Sequence, residues 1–231
     1  MAPFADRVIN FNKKLDFKGS LPDGIKIMNP FKENQHINFI SEKFYKKYFN
    51  DNRKRYLILG INPGRFGAGV TGVPFTDTKR MKEICGINIE GIKTHEPSSV
   101  FVYEVIDAFG GAKKFYSKFF IGAVCPLGFV KKQSNGKYLN YNYYDSHDLT
   151  KAVFDFIVDN IRQLIKFGIY TDICYCLGTG KNYDFLVKLN NDHKFFSKII
   201  PLEHPRFIMQ YRAKKKSEFI KKYLILLDQK D

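Results

Sequence analysis

No apolar run in this chain approaches the roughly 18 residues that a membrane span requires. The first residues, Met1-Ala2-Pro3-Phe4-Ala5-Asp6-Arg7, lack a signal-peptide core. An intracellular protein with no membrane partner is expected, cytoplasmic or at the nucleoid if bacterial. Cysteine is scarce: Cys85, Cys125, Cys174 and Cys176 form no C-x-x-C pair and sit in apolar surroundings. They read as buried thiols. Cys174 and Cys176 share one face of a predicted strand, but no partners stand at metal-ligand spacing, so no metal is expected. Repeats and linkers are missing as well, and 231 residues therefore read as one domain, 1–231, with residues 1–50 as a helical extension packed on it. Acidic residues are too few to balance the basic ones. Against 38 Lys and Arg stand 23 Asp and Glu, a net charge of +15 that favours a polyanionic partner such as nucleic acid or an anionic surface.

What the chain does have is alternation of short apolar strands with helices. Strands are expected at Tyr56–Gly60, Phe119–Val124, Asp172–Leu177 and Ser197–Leu202. Helices are expected at Glu33–Tyr48, where Ile37, Ile40, Phe44 and Tyr48 recur at helical spacing, at Lys79–Cys85, and at Ser98–Phe109 with Ser98 as its cap. Others are expected from Asp148 to about Gly168, from Asn182 to Leu189 and from Arg212 to Leu227. The polar, tyrosine-rich stretch Gln133–His147 reads as a surface loop or a hairpin around Asn135-Gly136. The fold class is α/β, a three-layer α/β/α sandwich on a central, mostly parallel four-stranded sheet.

Loops at the carboxyl ends of parallel strands are where ligands bind in such folds. Three of them carry chemistry here. The first is Gly60-Ile61-Asn62-Pro63-Gly64-Arg65-Phe66-Gly67, which continues through Gly69 to Thr71-Gly72-Val73-Pro74-Phe75. Its glycines allow positive φ and close backbone approach, and its prolines stiffen the path. Asn62 can donate and accept hydrogen bonds beside a ligand or a water, although Asn-Pro-Gly is also ordinary turn sequence. The second loop is Cys125-Pro126-Leu127-Gly128. The third is Glu203-His204-Pro205-Arg206, where an imidazole at a strand end suits proton transfer or hydrogen-bond donation.

Two nucleotide-binding readings fail on context. Gly67-Ala68-Gly69-Val70-Thr71-Gly72 matches G-x-G-x-x-G but lies past the strand end and runs into Val73-Pro74-Phe75 instead of a helix. Gly178-Thr179-Gly180-Lys181 lacks P-loop spacing, though its glycines and Lys181 at a helix start suit a DNA phosphate.

In order, the Asn62 loop with Phe75, then Cys125-Pro126-Leu127, then His204-Pro205 resemble the three motifs of the single-strand-selective monofunctional uracil-DNA glycosylases. The likeness runs from about Tyr56 to Leu226. It implies that Asn62 positions the attacking water, that Phe75 stacks on the extruded base, and that His204 steadies the departing base. Ile61, Gly64, Ala123 and Pro126 would line the base site. Arg65, Lys181, Arg206, Phe207, Ile208, Met209, Tyr211, Arg212 and Lys214 would hold or wedge the DNA. The resemblance implies DNA containing deaminated bases, single- or double-stranded, as the partner of a monomer, with no cofactor and no strand cleavage. A binding protein without catalysis on the same fold is the rival reading.

One position departs from the family. Two residues before Cys125-Pro126-Leu127 the family carries an asparagine that reads the Watson-Crick edge of uracil, and this chain has Ala123. Alanine offers no donor or acceptor side chain, so backbone groups, water, Asn140 or Asn142 must read the base. A smaller wall also admits a larger base. Uracil together with a deaminated purine, xanthine or hypoxanthine, is the expected substrate range.

Overall fold

A computed structural model describes residues 2–228; Met1 and residues 229–231 of the expected range 1–231 lie outside the described residues. Among the described residues there are seven strands: β1 Ile25–Met28, β2 Arg55–Gly60, β3 Phe119–Ala123, β4 Gly128–Lys132, β5 Tyr138–Tyr141, β6 Ile169–Leu177 and β7 Lys198–Leu202. Four of them form a wholly parallel sheet in the order β3-β2-β6-β7. This is the expected fold class. β2 lies between two neighbours, and Leu57, Ile58 and Leu59 are buried, which is why it reads as a continuous apolar run without alternation.

Helices cover both faces. Phe119 and Phe120, adjacent on β3, point to opposite sides of the sheet, as strand geometry requires. The Phe120 ring meets Phe4 at 5.2 Å, on the helix Phe4–Lys14, and Phe167 at 6.3 Å, at the end of the helix Phe154–Lys166. The Phe119 ring meets Phe115 at 5.1 Å, on the helix Ala112–Lys118, and Tyr175 of β6 at 5.9 Å. Tyr175 in turn donates its phenol hydrogen to the Leu226 carbonyl of the helix Lys216–Leu227 at 3.2 Å.

Several elements differ from expectation, each for a local reason. The first fifty residues contain β1 besides helices, and β1 pairs antiparallel with β4, which pairs antiparallel with β5. This second, three-stranded sheet was unforeseen apart from the hairpin turn around Asn135-Gly136. The helix expected from Asp148 is two helices, His147–Ala152 and Phe154–Lys166, separated at Val153 and capped at its start by the Ser146 side chain, which accepts from the Leu149 N–H. Ser98 is not a cap: Pro97, with its fixed φ, begins the helix Pro97–Ala108 and makes Glu96 the preceding residue. The final helix starts at Lys216, after a 3₁₀ turn over Ala213–Lys215. The helix Ala112–Lys118 lies in a stretch for which no element was expected. All four cysteines are buried and free, as expected.

Arg55, at the start of β2, is fully buried. Its guanidinium pairs with both carboxylate oxygens of Asp51, at 2.9 and 3.0 Å, and its Nε donates to the Tyr116 carbonyl at 2.7 Å. The rings of Phe4 and Phe49 cover it at 4.7 and 4.8 Å. Every polar contact it makes is lost together if the side chain is cut, leaving acceptors without donors. Arg55→Ala is expected to cost about 3–5 kcal/mol of unfolding free energy in urea denaturation; a loss under about 1 kcal/mol, the range of a surface ion pair, would show that the site relaxes without it.

Candidate active site

Parallel pairing sets Gly60 opposite Ala123, and Cys176 opposite both Leu59 and Pro201, so the carboxyl ends of all four central strands lie along one edge. The chain leaves β2 for β3 on one side and reaches β6 on the other. That reversal beside β2 opens a crevice. A pocket of about 460 Å³ occupies it, lined by Asn62, Phe75, Glu96, Ala123, His204 and Arg206 among others. Such a volume suits a small organic ligand.

Asn62 is held from the other sheet. Its Oδ1 accepts from the Tyr143 N–H at 3.2 Å, and its Nδ2 donates to the Tyr141 carbonyl at 3.3 Å. One lone pair of Oδ1 remains for a further partner. Tyr143 is fully buried and donates its phenol hydrogen to Asn182 Oδ1 at 2.8 Å; Asn182 Nδ2 donates to the Leu177 carbonyl at 3.1 Å, at the end of β6. The loops after β2, β5 and β6 are thereby tied into one unit. Gly128 is required at the junction, since a Cβ there would lie 2.5 Å from the Pro63 carbonyl oxygen.

Phe75 sits at φ +51°, a left-handed backbone unusual for an aromatic residue. Its ring packs over Gly60, where a Cβ would meet Cε2 at 3.1 Å. The Phe75 and His204 rings are 5.8 Å apart, tilted by 54°. Of the five glycines expected to allow positive φ, only Gly72 uses it, at +69°.

His204 accepts the Arg206 N–H on Nδ1 at 3.1 Å, so the ring proton belongs on Nε2. Burial, reinforced by the positive charge of Arg206, pushes its pKa down to about 4. At neutral pH the ring is an uncharged donor, and the proton-transfer option open in the sequence closes. Glu96 is the acidic residue of the pocket lining; burial raises its pKa against the opposing charge of Arg206. The sequence held no motif for it, and only the helix start at Pro97 marks its position.

Ile61, Gly64, Phe75 and Ala123 of the expected base-site residues line the pocket. Pro126 does not: it lines a smaller adjoining cavity on the far side of Ala123. Asn140 and Asn142 both line the main pocket. Asn140 Oδ1 accepts from Arg65 Nε at 3.2 Å, which keeps Arg65 at the rim, and the Asn142 N–H is held by Asp145 at 2.7 Å.

Of the expected DNA-contact residues, Lys181, Arg206, Phe207 and Tyr211 line the pocket mouth. The helix Pro205–Tyr211 turns Phe207, Gln210 and Tyr211 outward and Ile208 inward. Ile208 is fully buried and is corrected from wedge to core residue. Met209 is half-buried against the core. Phe207 and Tyr211 are 41% and 61% exposed, their rings 5.7 Å apart, and Arg212 lies 5.7 Å from the Phe207 ring. Lys214 is exposed in the 3₁₀ turn that follows.

Residues 46–228 match the Uracil DNA glycosylase superfamily, and the chain belongs to it. Its function is accordingly DNA repair of the uracil-DNA glycosylase type. Within the superfamily it is SMUG-like: the crystal structure of wild-type SMUG2 from Pedobacter heparinus is 58% identical, with a TM-score of 0.96 over 98% of this chain and 97% of that one. No curated protein matches the chain. Among the described residues no helix is long and apolar enough to cross a membrane, and no group of metal-ligating side chains occurs.

The lowered His204 pKa has a consequence for stability. The unfolded ring binds a proton below about 6.5, whereas the folded ring stays neutral down to about 4. Its contribution to stability is therefore complete above pH 6.5 and is lost as the pH falls from there toward 4. The drop in Tm between pH 7 and pH 5 should be smaller in His204→Gln than in the wild type. Equal drops would show that the wild-type ring titrates as if exposed.

Proposed function

We propose that the protein is a monofunctional DNA glycosylase that extrudes a deaminated base from DNA and hydrolyses its N-glycosidic bond, leaving an abasic site. The observation that carries this reading is the Asn62 amide, fixed by the Tyr141 carbonyl at the end of β5 and the Tyr143 N–H just beyond it, on the wall of a pocket that His204 also lines. Cleavage of the bond builds positive charge on the sugar and negative charge on the leaving base. Asn62 Oδ1 accepts a hydrogen bond from the attacking water and orients it; an amide is too weak a base to deprotonate it, so once the water oxygen bonds to the anomeric carbon and the bond to the base breaks, its proton goes to solvent or to the departing base anion. The Nε2–H of His204 donates to the base oxygen where negative charge develops, a preorganised interaction worth roughly 3 kcal/mol in comparable sites. The Phe75 ring supplies the stacking face.

Extrusion costs a few kcal/mol in duplex DNA and little in single strands. Phe207 and Tyr211, exposed beside the pocket mouth, fill the stack that the base leaves, while Arg206, Arg212, Lys214 and Lys181 hold phosphates. The substrate range includes xanthine or hypoxanthine besides uracil, because Ala123 and Gly122 leave the wall facing the base without a side chain longer than methyl.

Oligonucleotides carrying uracil, xanthine, hypoxanthine or a thymine mismatch test the reading. Alkali-labile sites are expected at uracil and at one or both purines, with strands intact before alkali. Asn62→Ala should lower the single-turnover rate by about a hundredfold or more while DNA affinity stays within about twofold. A wild type that binds every oligonucleotide and opens none would establish the binding-protein reading instead, and excision confined to uracil would remove the purine extension.

A further inference from the structure

Behind the main pocket lies a second cavity of about 60 Å³, and the two share Pro63, Ala68, Pro74, Gly122 and Ala123 as walls. Its lining is apolar apart from Asn12, Asn160 and the phenol of Tyr45. Asn160, on the helix Phe154–Lys166, is 3% exposed. Its Nδ2 donates to the carbonyls of Ala123 and Val124, at 2.9 and 3.0 Å. Those two bonds fix which end of the amide is which, and they engage the Ala123 carbonyl. Oδ1 is buried and has no hydrogen-bond partner among the described residues. A buried amide oxygen left unpaired costs about 1–3 kcal/mol. The cavity is ample for an ordered water, which needs roughly 10–15 Å³ by this kind of measure and two or more polar partners.

We propose that this cavity is the deep end of the base pocket, and that Asn160 Oδ1, through one ordered water, reads the N–H edge of the extruded base. The inference rests on the excision reading above. Oδ1 only accepts, so the water must give it a hydrogen and turns a lone pair toward the pocket. Deamination converts a ring nitrogen that accepts, N3 of cytosine or N1 of adenine, into one that donates. A water polarised by Asn160 therefore favours uracil over cytosine and hypoxanthine over adenine, at a wall where Ala123 brings no polar side chain and its carbonyl is already engaged; guanine and xanthine both carry N1–H and are not told apart at this edge. Asn160 is a specificity-determining residue that acts from behind the strand.

A double-mutant cycle with Asn160→Leu and Ala123→Asn tests this, read as kcat/KM on uracil and hypoxanthine oligonucleotides. Asn160→Leu alone should lower kcat/KM by about tenfold. In the Ala123→Asn background, where an amide reaches the pocket directly, the same change should matter by less than about twofold. An equal loss in both backgrounds, as a purely structural role would give, overturns the proposal, as does no loss in either. A crystal structure of the wild type reads the claim without activity: a water hydrogen-bonded to Asn160 Oδ1 in the cavity is expected, and a dry cavity overturns it. Failure of the wild type to excise any base would defeat the excision reading alone, because the cavity water is judged separately.

Discussion

Tyr143 carries the connection on which the rest of the site depends. Its N–H holds Asn62 Oδ1 and its buried phenol holds Asn182, so one residue ties the loop after β2 to the end of β6. An amide side chain at a strand end would otherwise rotate freely and present either its oxygen or its nitrogen to a ligand. Here the Tyr141 carbonyl and the Tyr143 N–H settle that choice before any substrate arrives. The antiparallel sheet of β1, β4 and β5 thus serves as a brace for a site built on the parallel sheet.

Electrostatics divides the pocket from its rim. Inside, burial lowers the His204 pKa to about 4 and so favours a neutral ring, and it raises that of Glu96 against the opposing charge of Arg206. At the mouth, Lys181 and Arg206 place positive charge, with Arg212 and Lys214 exposed on the turn after the helix Pro205–Tyr211, on a chain whose net charge is +15. A polyanion is drawn to the rim, while the interior discriminates by shape and by oriented hydrogen bonds. A neutral imidazole suits this division: on the proposed reading it would stabilise a developing anion by donation without attracting phosphate into the pocket.

How far the sequence revealed this depended on the kind of interaction. The four parallel strands were legible because buried strands are apolar throughout, as Leu57-Ile58-Leu59 are. The site loops were legible because Asn62, Phe75 and His204 stand in ordered motifs. β1 was missed because a four-residue edge strand amid polar residues has too little periodicity to register, and its pairing with β4 is long-range. Ile208 was misread because Arg206 to Arg212 looked like a loop wedge; as a helix of period 3.6 it sends Ile208 inward and Phe207 and Tyr211 outward. Asn160 and Glu96 carried no signal, since one lies in a helix of ordinary amphipathic pattern and the other ahead of a proline. Their importance comes only from what the fold sets beside them.

On the proposed reading, the pocket is complementary to a reaction in which the sugar becomes cationic and the base anionic, and not merely to DNA. Affinity for a single-stranded oligonucleotide bearing a cationic azasugar at the target position, compared with a neutral tetrahydrofuran abasic analogue, tests it most directly. The azasugar should bind at least about a hundredfold more tightly when free uracil is also present to occupy the base site. Equal affinity for the two analogues would contradict the account and leave a protein that recognises DNA without promoting its chemistry.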